Sequence, residues 1–254
     1  MAGAALLGRL EPLVWRLAEV VEIVAETPSV SSLVLDVPGW PGHRAGQHVD
    51  VRLTAEDGYQ AQRSYSIASP PEDDQVTLTV ERLEDGEVSP YLVGEVRPGD
   101  RFELRGPIGG YFVWEAAEGA PLDLAAGGSG IVPLMAMLRH RAAAGSDVRA
   151  RLLYSIRTLD DVIYGDELER LAADGDGLTV AYTLTRAQPS GWRGYARRVD
   201  REMLADVLGG PDEGATAFVC GPTGFVESVA AALVDLGYEP PQVKTERFGP
   251  TGGE

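Results

Sequence analysis

Cysteine is nearly absent: Cys220 is the only one in 254 residues. A disulfide framework within the chain is therefore excluded, which fits a reducing cytoplasm. A plant-type iron–sulfur cluster needs four thiolates, so this chain cannot hold one by itself. Histidine is scarce as well. His43, His48 and His140 lack metal-ligand spacing, and nothing resembles a zinc or haem ligand group. Positive charge is in the minority, 22 Lys and Arg against 39 Asp and Glu, for a formal net charge of -17. Phosphate backbones and anionic bilayers would be repelled, so neither nucleic acid nor a membrane surface is an expected partner; the rest of the acidity reads as solubility. Long hydrophobic runs are missing. The apolar stretch within Met1–Val14 is interrupted by Arg9 and Glu11 and has no charged leader. Neither a signal peptide nor a membrane span is expected, and the expected location is cytoplasmic. The role of residues 1–14 stays open.

What is present is an ordinary globular composition, 44% hydrophobic and 24% charged, in a length that suits one large domain or two of usual size. The first half reads as short strands. Ser32–Val37, His48–Leu53, Gln62–Ile67 and Gln75–Arg82 alternate apolar and polar residues, with turn-forming clusters such as Pro38-Gly39 between them. Trp15–Glu26 has a helical composition, yet Val20, Val21, Ile23 and Val24 allow a strand, and the surroundings favour one. Short strands at this spacing predict an antiparallel barrel or sandwich. The texture changes near Glu115–Pro121. Beyond it, strands at Leu122–Ala126, Arg149–Tyr154, Leu178–Leu184 and Ala215–Cys220 alternate with helices at Ile131–Ala144, Tyr164–Ala173, Val199–Leu208 and Gly224–Leu236. That alternation predicts a parallel sheet covered on both faces, with ligands beyond the carboxyl ends of its strands. The end of the chain, Arg247–Glu254, is rich in glycine and is expected to be irregular.

Two glycine turns follow strands of the second half. Gly127-Gly128-Ser129-Gly130-Ile131-Val132-Pro133 opens a helix, where free N–H groups and the helix dipole favour a pyrophosphate and Pro133 suits the first turn. Cys220-Gly221-Pro222-Thr223-Gly224 faces the same edge. On spacing alone Cys220 is a small buried core residue. Arg157 and Arg186 would lie on that edge as phosphate ligands, or, as spacing alone favours, as solvated surface arginines or ion pairs with Asp160 or Asp161. In the first half, Arg63-Ser64-Tyr65-Ser66-Ile67-Ala68-Ser69 offers a cation, an aromatic plane and hydroxyls on one strand. These suit a planar, phosphate-bearing cofactor, or are ordinary strand residues.

Taken in order, Arg63-x-Tyr65-Ser66, Gly106-Pro107-Ile108-Gly109-Gly110-Tyr111-Phe112, Gly128-x-Gly130-Ile131-x-Pro133 and Cys220-Gly221-Pro222 resemble the ferredoxin–NADP reductase superfamily. The likeness runs from about Trp15 to Phe248 and is nearest to the reductase halves of bacterial oxygenase systems. It implies a six-stranded antiparallel β-barrel holding FAD at 12–114 and an α/β parallel-sheet nucleotide-binding domain at 120–254. By the resemblance, Arg63 contacts the FAD pyrophosphate, Tyr65 stacks on the isoalloxazine and Ser66 lies near flavin N5, with Ser64 beside them. Val80, Glu81 and Arg82 match the next flavin-lining strand, and Gly86, Val88 and Ser89 the Gly-x-x-Ser phosphate loop. Gly128, Ser129, Gly130, Ile131 and Pro133 would cradle the pyrophosphate of the nicotinamide dinucleotide. Cys220, with Gly221 and Pro222, would sit near the nicotinamide.

Thr185-Arg186 resembles a pair that binds the 2′-phosphate of NADP, Arg157 falls where relatives place a second arginine, and no acidic residue directly ends the strand at Leu184. NADP(H) is therefore favoured over NAD(H). Glu246 and Phe248 resemble the segment that returns to the flavin, Phe248 as a cover and Glu246 as a polarising or proton-relaying group; a final strand with a frayed tail is the equal alternative. The resemblance implies a monomer that passes electrons from NAD(P)H through FAD to a separate ferredoxin or oxygenase component, since the cysteine count leaves no fused ferredoxin domain. A flavin or quinone reductase with a diffusible acceptor, and a non-catalytic flavin-binding regulatory subunit, are the competing readings. A docking patch would be locally basic, built on Arg141, Arg149 and Arg151 or on Arg193, Arg197 and Arg198; the second group could instead bind the cofactor phosphate.

Overall fold

Ala18 and Val20, Leu33 and Leu35, Val49 and Val51, and Leu78 and Val80 are each two residues apart, and all are buried in one cluster. Spacing of two places each pair on one face of a strand, so a sheet with a single apolar face results. The computed structural model, which describes residues 13–175 and 177–248, shows that sheet. Its strands are β1 (Trp15–Thr27), β2 (Val30–Asp36), β3 (His48–Thr54), β4 (Gln60–Ser66), β5 (Val76–Glu81) and β6 (Arg101–Ile108). They are antiparallel, in the order β4-β3-β6-β1-β2-β5. The two edges meet where Ile67 bridges Leu78 and the Ala68 N–H donates to the Thr77 carbonyl at 2.8 Å, which rolls the sheet toward a barrel. The ambiguous Trp15–Glu26 segment is a strand. Two elements were not located from sequence: β6, and a short helix α1 (Ser89–Gly94) with proline in its first turn.

The second half forms β7 (Leu122–Gly127), β8 (Ala150–Ile156), β9 (Leu178–Leu184), β10 (Thr216–Pro222) and β11 (Val243–Phe248). They lie parallel in the order β11-β10-β7-β8-β9. Helices α2 (Ile131–Ala143), α3 (Gly165–Ala173), α4 (Arg201–Val207) and α5 (Thr223–Asp235) connect and cover them. Every residue of β7 is buried, as a central strand covered on both faces requires. The helix expected from Val199 starts at Arg201, because the Asp200 side chain accepts the Met203 N–H at 2.9 Å and so caps it. The expectation of an irregular Arg247–Glu254 is corrected at its start. Arg247 and Phe248 belong to β11, in register with Gly221 and Pro222, because pairing with β10 outweighs the glycine-rich composition that follows. Residues 249–254 lie outside the described residues.

Connectivity fixes where a ligand can bind. From β7 the chain proceeds outward to β8 and β9, then returns to the other side of β7 as β10. The strand order reverses between β7 and β10, and a crevice opens beyond the carboxyl ends of strands at such a point. The barrel is packed beside this edge through a shared core. Val30, Ala45, Ala68, Phe112 and Trp114 from the first half cluster with Leu124, Ile131, Met135 and Tyr164 from the second. Among the described residues no helix is long and apolar enough to cross a membrane.

Candidate functional site

Glycines let the turns after β7 and β10 approach each other at the switch point. A Cβ on Gly130 would lie 2.1 Å from the Cys220 carbonyl oxygen. One on Gly127 or Gly221 would lie 2.9 or 2.8 Å from the Phe225 ring. These three are thus required for packing of protein against protein. Gly128 differs: its φ is +54° and a Cβ there would meet nothing within 4 Å. It is the glycine of this turn with open space before it. The single-turn helix Gly128–Gly130, which runs into α2, has no side-chain cap, and neither has α5. Their first N–H groups remain available to an anion.

A cleft of about 1440 Å³ runs from these turns to the barrel. Cavities of about 300–1,000 Å³ already bury drug-sized ligands, so a dinucleotide has room here. On the barrel side the wall carries Arg63, Ser64, Tyr65 and Ser66 of β4, Glu81 and Arg82, and Gly86, Val88 and Ser89. On the sheet side it carries Gly128, Ser129, Arg157, Thr185, Pro222 and Phe248. Tyr65 is half-buried against the barrel core and also lines the cleft, and burial pushes its hydroxyl up to about 12. Arg63 pairs with Glu87 at 2.6 Å, both about half exposed. Such a pair is worth little in water, so Arg63 can exchange that carboxylate for a pyrophosphate. The Ser64 hydroxyl is committed elsewhere, donating to Asp50 at 2.7 Å. Ser89 Oγ accepts the Leu83 N–H at 3.1 Å and closes the loop around Gly86.

Several expected residues stand behind the wall instead of on it. Val80 fills the barrel core with its side chain, as does Val88, which nevertheless borders the cleft. Gly130, Ile131 and Pro133 are buried at the start of α2, and Gly221 packs against Phe225. Arg186 is exposed and outside the cleft, its N–H donating to the Arg157 carbonyl at 3.0 Å. Arg198 takes its place on the cleft wall. The chain beyond β9 folds back, Thr183 bridging Tyr195 and donating its hydroxyl to the Arg197 carbonyl. Arg157, Thr185 and Arg198 therefore gather at one end of the cleft, and neither arginine makes an ion pair among the described residues. Asp161, a sequence candidate to neutralise Arg157, is held by Thr158. The signal for Arg198 was only its membership of an arginine-rich group. Phe225 and Thr79 also line the cleft and were not foreseen.

Cys220 and Glu246 are register partners on adjacent strands. Cys220 is buried, and burial together with the charge of Glu246 pushes its thiol well up, so it is not a thiolate nucleophile. Glu246 is pushed up to about 7 by burial, and its Oε2 is a buried oxygen with no hydrogen-bond partner. His48 Nδ1 lies 3.6 Å from Glu246 Oε1. That is beyond a hydrogen bond, and burial lowers the imidazole as it raises the acid, so burial disfavours the charged form of both partners and the two do not form a close ion pair. Phe248 follows on the same face of β11, partly exposed, at the cleft.

The uncapped helix starts, the open Gly128, the unpaired arginines and the orphan Glu246 oxygen fit phosphate-bearing, polar-edged ligands. Comparison with known proteins agrees. The oxidoreductase FAD-binding domain model matches residues 18–113, and the oxidoreductase NAD-binding domain model residues 124–231. Ferredoxin–NADP reductase B of Sorangium cellulosum is 35% identical over 209 residues, covering 80% of this chain and 84% of the relative. NADH oxidoreductase HCR of Escherichia coli is 34% identical over 229 residues, 88% of this chain but only 65% of that longer protein. The FAD/NAD-binding domain of nitric oxide dioxygenase from Vibrio cholerae superposes with a TM-score of 0.81 at 26% identity, covering 92% of this chain and 99% of that one. The Amycolatopsis cytochrome P450 reductase GcoB gives a TM-score of 0.81 at 26% identity, over 95% of this chain and 72% of that one. The chain belongs to the ferredoxin–NADP reductase superfamily and is an NAD(P)H-dependent FAD-containing reductase.

Proposed function

We propose that the chain takes reducing equivalents from NADPH in preference to NADH and delivers them to a separate ferredoxin or oxygenase component, as a cytoplasmic monomer with domains at 12–114 and 120–254. The observation that carries this reading is one continuous cleft lined by Tyr65 on one wall and the Gly128 turn on the other. Bound FAD supplies the redox chemistry, accepting a hydride from the nicotinamide and releasing electrons singly. The chain's own residues bind and orient. Arg63 holds the FAD pyrophosphate, Tyr65 gives the flat surface for the ring system, and Ser66 hydrogen-bonds its polar edge. Gly128 and the N–H groups of Ser129 and Gly130 hold the second pyrophosphate. Phe248 excludes water from the face where the nicotinamide enters. Glu246, neutral at the lower end of the physiological range, holds a proton at its carboxyl behind that face.

Preference for NADPH rests on Arg157, Thr185 and Arg198 at the cleft's far end. A separate acceptor is supported by Amycolatopsis GcoB, which is called a cytochrome P450 reductase. The test is a visible spectrum of the purified protein followed by anaerobic reduction with NADPH and with NADH. A flavin spectrum bleached faster by NADPH is expected, with turnover on added ferredoxins. Fast turnover with free flavin or quinone and none with ferredoxins would replace the protein acceptor by a diffusible one. A colourless protein unable to take up FAD would end the reading.

A further inference from the structure

Strand β5 has two faces with different duties. Val76, Leu78 and Val80 fill the barrel core. Thr79 and Glu81 point the other way, toward the parallel sheet, and both line the cleft. Thr79 is nevertheless only 5% exposed, because its hydroxyl lies within a buried chain of hydrogen bonds between the two halves. Tyr164 OH is bonded to Thr79 Oγ1. Thr79 Oγ1 lies 2.7 Å from Ser32 Oγ, and Ser32 Oγ donates to Glu26 Oε1 at 2.6 Å. Each hydroxyl has one proton to give. Ser32 spends its own on Glu26, so Thr79 must donate to Ser32 and Tyr164 to Thr79. All three donors are used, and all run one way. Two residues along the same face of β5, Glu81 Oε2 accepts from Ser129 Oγ at 2.7 Å. The hydroxyl of Ser129 is thus directed at the barrel, leaving its backbone N–H for a phosphate.

Tyr164 and Ser129 stand on the segments that follow β8 and β7, the strands whose ends carry Arg157 and Gly128. Tyr164 is also strained. Its φ of 62° is the only positive value at a non-glycine among the described residues. That costs roughly 1 kcal/mol, and such a residue persists only where its surroundings hold it. They do: it is 4% exposed, and the Arg139 guanidinium sits 4.7 Å from its ring centroid. Arg139 in turn donates to the Ala68 carbonyl across the boundary at 2.8 Å and to both oxygens of Glu167. A glycine at 164 would start α3 without strain. What glycine cannot supply is the hydroxyl at Thr79.

We propose that Tyr164 is a positioning residue for hydride transfer. Its hydroxyl pins β5 at Thr79 while Ser129 pins it at Glu81, so the flavin-side wall is docked at two points onto the segments that carry the nucleotide. This rests on the cleft holding FAD and NADPH as read above. Small misplacement across a hydride-transfer gap costs far more rate than binding.

Tyr164→Phe keeps the ring and its arginine contact and removes only the donor. In the FAD-loaded protein, stopped-flow reduction at saturating NADPH should show a limiting rate about tenfold lower, with the Kd for NADPH and the FAD content within about twofold of the parent. The long-wavelength charge-transfer absorbance with bound nucleotide should weaken. Thr79→Val should give the same loss, the double variant no more than either alone, and Thr79→Ser, which keeps the hydroxyl, should restore the rate. An unchanged limiting rate in both single variants overturns the proposal, as does a rate that falls only in step with lost FAD or lowered melting temperature. If the parent protein takes up FAD and is reduced while the variants match it, the positioning role alone fails. If the parent is not reduced by either nucleotide, the reading of the cleft fails and the proposal falls with it.

Discussion

Glu246 occupies a place where water has been largely removed and no cation has been supplied. Burial raises its carboxyl to about 7, with no other group responsible. An acid whose folded pKa lies above its unfolded value loses its proton first in the unfolded chain as pH rises. Its contribution is therefore intact below about pH 4.5 and is lost as pH climbs to about 7, by at most about 3 kcal/mol. Glu246→Gln cannot ionise, so its melting temperature should change less between pH 5 and pH 8 than that of the parent. Parallel slopes in the two proteins would show that the anion is compensated. Arg198 makes a separate, electrostatic prediction. It reaches the cleft unpaired beside Arg157, and a charge-assisted bond to phosphate is worth about 1.5–3 kcal/mol. Arg198→Ala should raise the KM for NADPH about tenfold or more and leave that for NADH nearly unchanged. An equal rise for both would place Arg198 on a part common to the two nucleotides.

Glycine turns join the strands and decide how closely the elements meet. Gly130→Ala would force a Cβ onto the Cys220 carbonyl, a backbone atom that cannot rotate away. Overpacking of this kind costs about 1–3 kcal/mol, so thermal melting should fall by several degrees. Gly128→Ala has open space and meets only the penalty of its positive φ, about 1 kcal/mol, yet it faces the cleft. It should melt near the parent and bind nucleotide more weakly; the reverse order in the two measurements would refute this division between packing and binding. Most strands were legible in the sequence, the antiparallel ones from alternation with a period of two and the parallel ones as short apolar runs between helical patterns. β6 was missed although Phe102 and Leu104 alternate; its Gly106-Pro107 end entered the sequence reading only as part of a family motif. Gly128 and Arg157 were legible as site candidates because a parallel sheet sends its strand ends to one edge, and Tyr65 because it stands in the Arg63-x-Tyr65-Ser66 string. Arg198 was legible only as one of a basic group that served docking or the cofactor phosphate, because it arrives by an excursion from Leu184 to Asp200 whose return is fixed by Thr183 and Tyr195, a tertiary contact with no periodic trace. Arg186 was placed by analogy of sequence, and that same excursion turns it away from the cleft.

At the scale of the molecule, a net charge of -17 surrounds a cleft lined by Arg63, which is paired with Glu87, and by Arg82, Arg157 and Arg198, which make no ion pair among the described residues. The cations act within contact range of a phosphate, while the excess of carboxylates acts over the whole surface. Their reach is set by salt: the screening length is about 30 Å at 0.01 M and about 8 Å at 0.15 M. Around the barrel end of the cleft, Glu81, Glu84, Asp85 and Glu87 outnumber Arg63 and Arg82, which leaves that end locally negative. A negatively charged acceptor approaching the reduced cofactor should therefore be repelled at low salt and released from that repulsion as salt rises. Reoxidation by ferricyanide should accelerate severalfold between those two ionic strengths, whereas reoxidation by an uncharged quinone should stay flat. A ferricyanide rate that instead falls with salt would mean that a cationic patch governs the exit for electrons, and would turn the search for a partner toward acidic proteins. With the expected acceleration, the partner that docks at that edge must either carry positive charge of its own or bury enough apolar surface to overcome the field.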